Sequence, residues 1–363
     1  MEPVKNTFNE VFFEKLTETI AKNDSSFSKN LFLSKVWMDE WEGYELKERM
    51  HHVTKCLYET LPQEYESAIQ ILMSVAPDIT FKFGFASMIF PNYVEMYGLD
   101  HWDISIKALE EFTKYSSSEF AVRPFIMKNK EQMMKTMTKW AKHENFHVRR
   151  LASEGCRPRL PWAMALPDFK KDPTLILPIL KLLKDDPEEY VRRSVANNLN
   201  DISKDHSKLV LEITKRWLGK SKETDWVVKH ALRTLLKAGD TGALLMFGFS
   251  DPKNIEVVGF QIHTKNIKIG DSLSFSFQLQ KNKESEEKIR IEYAIYFMKS
   301  NGELTKKVFK ISERVLTSNI EVINRNHSFK LITTRKYYPG MHKVAIIING
   351  VKKSVGEFEL VSE

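Results

Sequence analysis

The sequence predicts a multidomain α-then-β chain: an α-helical repeat solenoid over residues 1–250 followed by a β-sandwich over residues 254–363. Three observations carry this expectation. Apolar residues recur at three- and four-residue spacing from Phe8 to about Ala238, which is helical periodicity. Val122-Arg123-Pro124, Val148-Arg149-Arg150, Val191-Arg192-Arg193 and Val228-Lys229-His230 echo one pattern, their valines 26, 43 and 37 residues apart. Beyond Asp251-Pro252-Lys253-Asn254 the apolar period falls to two, and β-branched and aromatic residues dominate.

In chain order, Phe12, Phe13, Leu16 and Ile20 mark the apolar face of an early helix. The cleanest helix pairs are 102–114 with 119–128, 130–143 with 146–155, 173–184 with 188–200 and 206–219 with 223–238, and each second helix carries one echo. Hairpins of this kind bury their apolar faces by stacking on one another, and the uneven period makes the array HEAT-like. The periodicity changes after Gly239-Asp240, and 251–254 reads as a linker. Phe275-Phe277-Leu279 and Ile289-Ile291-Tyr293-Ile295-Phe297 alternate as strands, with Asn301-Gly302 as a hairpin turn before Val308-Phe309. About seven short strands in roughly 110 residues fit an immunoglobulin-like sandwich.

A chain of 363 residues buries a sufficient core without disulfides, and Cys56 and Cys156, its two cysteines, are expected to be free thiols in a reducing compartment. The N-terminus lacks the apolar run of a signal peptide and no stretch is long enough to span a bilayer, so a cytoplasmic, monomeric protein without membrane contact is expected. The net charge of +7 is segregated: residues 1–120 carry −9, residues 121–250 carry +10 and residues 251–363 carry +6. Segregation of this size places a polyanion partner on the middle and C-terminal parts. No Cys/His metal spacing, phosphate-cradling glycine loop, dinucleotide fingerprint or Gly-x-Ser-x-Gly elbow occurs, so neither metal nor cofactor is expected. The vocabulary left for chemistry is carboxylates, arginines and an aromatic.

In the helix from Phe146 to Gly155 the buried stripe is Val148, Leu151, Ala152 and Gly155, while Arg150 and Glu154, four apart, share another face. In the helix from Pro187 to about Asn200 the stripe is Val191, Val195 and Leu199, with Arg193, Asn197 and Asp201 aligned beside it. A carboxylate near a helix C-terminus opposes the dipole at a cost of about 0.3–1 kcal/mol, so the repetition points to function. The same pattern also describes ordinary surface pairs with Asp201 as a cap. Glu119, after Ser116-Ser117-Ser118, has the position of a first-turn acid in a capped helix. In the loop between the two helices, Gly155 is placed to end the helix in the left-handed conformation, and Pro158 and Pro161 to keep the chain extended. Arg157 and Arg159 supply donors suited to phosphate, and Trp162 offers either a π face for a base or a loop anchor.

Ser153-Glu154-Gly155-Cys156-Arg157-Pro158-Arg159-Leu160-Pro161-Trp162-Ala163, together with Tyr190-Val191-Arg192-Arg193-Ser194-Val195-Ala196-Asn197-Asn198-Leu199-Asn200-Asp201, resembles the AlkC family of bacterial DNA alkylation-repair glycosylases. The likeness covers the helical part, and the trailing β-domain resembles that of the subgroup with an immunoglobulin-like appendage. It implies base-excision repair of cationic N3-alkylated bases, 3-methyladenine and 3-methylcytosine, in duplex DNA and without base flipping. On the matching positions it implies Glu119, Glu154 and Asp201 as the catalytic acids and Trp162 at the lesion. Arg149, Arg150, Arg157, Arg159, Arg192, Arg193, Asn197, Lys229, His230 and Arg233 form the pool expected to hold DNA. The competing expectation is a non-enzymatic HEAT-type module that binds nucleic acid or an acidic protein, with an RNA-binding accessory factor as a further alternative.

Overall fold

The computed structural model describes residues 3–283, 286–332 and 335–362. The chain forms two compact units, one of residues up to Val210 with Arg216–Ala231, the other of Leu211–Lys215 with Leu232 onward. Among the described residues, sixteen α-helices precede eight β-strands.

Each expected helix pair is present, with every helix but Glu189–Ile202 shorter than expected: Trp102–Phe112 with Val122–Lys128, Lys130–Trp140 with Phe146–Glu154, Leu177–Leu183 with Glu189–Ile202, and Ser207–Trp217 with Lys222–Ala231. The last expected helix breaks at Leu232, and a separate helix, Arg233–Ala238, follows and ends on left-handed Gly239. Glu119 stands in the turn ahead of its helix, whose N-cap position is Ala121. Ser118 is turned away to donate to the Leu109 carbonyl, at 2.9 Å.

The echoed pattern has a structural reason. Its valines, Val122, Val148, Val191 and Val228, are fully buried. The arginine after the valine folds back over the first turn of its own helix. Arg149 Nη1 donates to the carbonyls of His143 (3.0 Å) and Glu144 (2.7 Å), and Arg192 Nη1 to those of Asp186 (2.6 Å) and Pro187 (2.8 Å). In both cases the acceptors lie six and five residues upstream, in the turn that joins the hairpin. Two of the four echoes thus share an arginine that ties down the turn ahead of its own helix.

The second unit contains β1 (Ile255–Ile262), β2 (Asn266–Lys268), β3 (Ser272–Lys281), β4 (Glu287–Met298), β5 (Leu304–Leu316), β6 (Ile320–Ser328), β7 (Gly340–Ile348) and β8 (Val351–Val361). They form a three-stranded sheet, β1-β3-β6, and a five-stranded sheet, β2-β8-β7-β4-β5, in which the β2–β8 pair is parallel. The period-two residues Phe275, Phe277, Leu279, Ile289, Ile291, Ile295 and Phe297 fill the core between them. The turn at Asn301-Gly302 joins β4 to β5, with Gly302 at φ +81. The short helices of this unit join the sandwich at Gly350, whose Cα lies so near Gly239 that an added Cβ would sit 2.6 Å from the Gly239 Cα.

Candidate active site

Three of the expected acids are drawn together in the helical unit by two arginines. Glu154, 5% exposed at the end of the Phe146–Glu154 helix, accepts from Arg157 Nη1 at 2.6 Å and lies 3.5 Å from Arg150 Nη2. Asp201, 2% exposed in the Glu189–Ile202 helix, accepts from Arg157 Nε at 2.9 Å and from Lys204 Nζ at 3.0 Å. Glu119 accepts from Arg150 Nη1 and from Ser117 Oγ, the latter at 2.8 Å. The order Glu119, Arg150, Glu154, Arg157, Asp201 is thus a continuous chain of alternating charge across three repeats. Burial alone would raise the Glu154 carboxyl, but Arg150 and Arg157 more than offset it and hold it below the usual carboxylate range.

One expected pairing is corrected. Asp201 is held by Arg157 from the preceding loop, while Arg193 pairs with Glu189 at 2.5 Å on the solvent side. Eight residues of helix carry a side chain about 12 Å along the axis, too far for an ion pair, so alignment on one face did not mean contact.

The loop after Glu154 differs from the expected extended form. Gly155 is right-handed, with φ −62, and is required for a different reason: a Cβ there would meet Val122 Cγ2 at 2.5 Å. The loop closes on itself through Leu166 N–H to the Pro158 carbonyl (3.2 Å) and Ala163 N–H to the Leu160 carbonyl (3.3 Å). Pro161 and Trp162 occupy the two central positions of the latter turn, and Trp162 has φ +63. A turn with Pro first and positive φ second ordinarily takes Gly second, so the bulky Trp162 sits in a strained conformation. Trp162 is 63% exposed as a residue, its indole tilted 50° against Phe85 with ring centres 5.7 Å apart, and its carbonyl accepts from Lys47 Nζ at 2.6 Å. Trp162 is therefore both open to solvent on its ring and held in place by Lys47 and Phe85.

Beside this loop a cavity of about 300 Å³ is lined by Phe81, Gly84, Phe85, Met88, Ser116, Ser117, Glu119, Arg150 and Tyr190. Arg150 lies over the Tyr190 ring at 4.9 Å, and His147 stacks on Phe81 at 4.9 Å. Apolar and aromatic walls thus surround the Glu119–Arg150 ion pair.

The remaining cations of the expected pool divide by occupation. Arg149 binds Asp186 through Nε (2.6 Å) and Nη2 (3.0 Å), and Arg159 grips Asp205 with two donors. Arg192 serves its own turn, as described above. Arg193 and Lys229 are exposed. His230 stacks on Trp226 at 4.9 Å, and its Nε2 lies 3.2 Å from Asn197 Oδ1. Arg233 opens the first helix of the other compact unit. Both cysteines are buried, and burial pushes each thiol up to about 12, which leaves them inert.

Residues that the sequence pattern did not single out complete the site: Lys47, Phe81 and Phe85 from the acidic first third, Tyr190, and Arg123. Tyr190 and Arg123 stood within the quoted motifs, but nothing in their spacing marks a role. Lys47, Phe81 and Phe85 have no sequence signal.

Together these features define a helical-repeat protein with a chain of arginine-linked acids and an immunoglobulin-like appendage. Residues 83–235 match the family described as DNA alkylation repair enzyme, and residues 256–362 match the C-terminal Ig-like domain of the uncharacterised protein YhaZ family. The chain is 47% identical over 361 residues to the uncharacterized protein YhaZ of Bacillus subtilis strain 168, covering 99% of this chain and 100% of that one. It is similar to the alkylpurine DNA glycosylase AlkC of Pseudomonas fluorescens, solved bound to DNA containing an abasic site analog, with TM-score 0.93, 34% identity, and 99% and 100% of the two chains covered. The chain belongs to the AlkC family of DNA glycosylases, in the subgroup that carries the immunoglobulin-like domain.

Proposed function

We propose that this protein excises cationic N3-alkylated bases, 3-methyladenine and 3-methylcytosine, from duplex DNA by hydrolysing the N-glycosidic bond, acting as a cytoplasmic monomer and without base flipping. The observation that carries the reading is the alternating chain of Glu119, Arg150, Glu154, Arg157 and Asp201. Lys204 also pairs with Asp201, so three cations face the three carboxylates, and what the site offers is acids oriented at fixed places rather than an excess of negative charge. Such a site favours a cationic base and a sugar that is gaining positive charge.

An N3-alkylated base carries its charge before the bond breaks. When the C1′–N bond cleaves, its electron pair neutralises the departing base, so no general acid is needed. The sugar is left with oxocarbenium character, which one carboxylate stabilises while another orients water and takes its proton. Arg150 and Arg157 hold the acids at fixed spacing. Trp162 offers its exposed face to the lesion, and the exposed cations bind phosphates without reading sequence.

The test is release of free 3-methyladenine from methylated duplex DNA under conditions of demonstrated binding. Release no faster than the spontaneous background overturns the reading in favour of a non-catalytic DNA-binding module. Glu154→Gln and Asp201→Asn are expected to lower single-turnover release about 100-fold or more while affinity for the duplex is kept or improved. Unchanged rates in both variants would place the chemistry elsewhere. A fluorescent base analogue opposite or beside the lesion reports flipping by a rise in emission, and none is expected.

A further inference from the structure

Arg123 belongs to the first echo, yet it has none of the roles described above. It is 0% exposed, and among the described residues it has no carboxylate partner. Its donors go to carbonyls on both sides of the strained loop: Nη1 to Gly155 and Arg157, each at 2.9 Å, and Nε to Met164 at 2.7 Å. Nη2 is buried without a hydrogen-bond partner. Burial lowers the guanidinium to about 10, and the more distant Asp201 and Glu119 offset it only in part.

A buried cation that lacks an anionic partner is costly, and apolar side chains of similar volume are often as stable or more so. Core packing therefore does not account for Arg123. Its three acceptors do: they bracket the turn in which Trp162 is held at φ +63, a conformation unfavourable for a bulky residue. Lys47 holds the same turn from the outside through the Trp162 carbonyl. Only a planar group with several donors reaches carbonyls on both flanks of the turn at once, and lysine, a point donor, cannot.

We propose that Arg123 is a positioning residue that clamps the Gly155–Met164 loop and so holds the Trp162 indole out toward the lesion. Its activity readout rests on the glycosylase reading; its structural readout does not. With tryptophan replaced by 5-fluorotryptophan, the chain gives one fluorine resonance for each of its seven tryptophans, and Trp162→Phe identifies the one of interest. In Arg123→Lys that resonance is expected to shift or broaden while the others stay in place, and trypsin is expected to cut faster after Arg159. A folded Arg123→Lys protein with the Trp162 resonance unmoved overturns the proposal.

In activity, Arg123→Lys should slow single-turnover release about tenfold or more with unchanged affinity for undamaged duplex, and should change it by less than about twofold when Trp162 is already glycine. Equal losses in both backgrounds would show that Arg123 does not act through Trp162 and overturn the proposal. If the wild-type protein releases no alkylated base, the proposed function fails and the fluorine spectrum alone decides Arg123. If Arg123→Lys does not fold, the double variant with Trp162→Gly, in which the turn is relieved of strain, should recover a cooperative unfolding transition; a double variant that stays unfolded places Arg123 in general core support and overturns the clamp.

Discussion

At the scale of single residues, Arg157 decides what the acids can do. Expected from its loop position to meet phosphate, it is 7% exposed and spends its donors on Glu154 and Asp201. Removing its charge leaves burial at Glu154 opposed by Arg150 and by a hydrogen bond from Ser194, so the Glu154 pKa should rise. In Arg157→Gln the acid limb of the pH–rate profile should therefore move upward, because an adjacent opposite charge has been taken from the carboxyl. The sign for stability follows from the same shift. A carboxyl held below its unfolded value contributes stability that is complete above the unfolded pKa and is lost as pH falls through the folded one, so the wild type should weaken only below the ordinary carboxylate range. Arg157→Gln should lose that margin at higher pH. A profile that does not move, with a DNA affinity that becomes less sensitive to salt, would instead make Arg157 a phosphate contact.

At the scale of elements, the two halves of the Val-Arg-Arg pattern have different partners. The first arginine tethers the turn before its own helix, and Asp186 joins two repeats because Arg149 grips its carboxylate while Arg192 takes its carbonyl. Asp186 is 6% exposed, so Arg149→Met leaves a buried unpaired carboxylate and should destabilise the helical unit by about 3 kcal/mol in urea unfolding. Asp186→Asn in the same chain should restore much of this, and no recovery would mean that the carbonyl tether, not the ion pair, dominates. Period and charge made the helix pairs, the strand alternation and the positions of Glu154 and Asp201 legible in sequence. The partners of those acids were not legible, because Glu119–Arg150 and Arg157–Asp201 join residues 31 and 44 apart, and an uneven repeat does not specify which side chains stacking brings face to face. The turn at Trp162 was hidden for a local reason: two prolines suggest extension, yet Pro161 serves equally as the first central residue of a turn whose second position is normally glycine.

At the scale of the whole molecule, the excess of +10 in residues 121–250 overstates the cation available to DNA, since arginines 123, 149, 150, 157 and 159 all spend donors inside the protein. The salt dependence of binding counts only cations that meet phosphates, at a slope of about 0.9 per contact on B-DNA. The affinity of the full chain for undamaged duplex, followed from low to moderate salt, should therefore fall less steeply than the basic composition suggests. Arg193, whose side chain is 58% exposed and shares an equally exposed pair with Glu189, is open to a phosphate in a way that the buried arginines are not. Arg193→Ala should lower the slope by about one and weaken binding alike on damaged and undamaged DNA, whereas Arg149→Met, assayed where it is folded, should leave the slope unchanged. If Arg149→Met flattens the slope and Arg193→Ala does not, the buried ion pairs open on binding, and the arginines of the alternating chain would belong to the DNA interface after all.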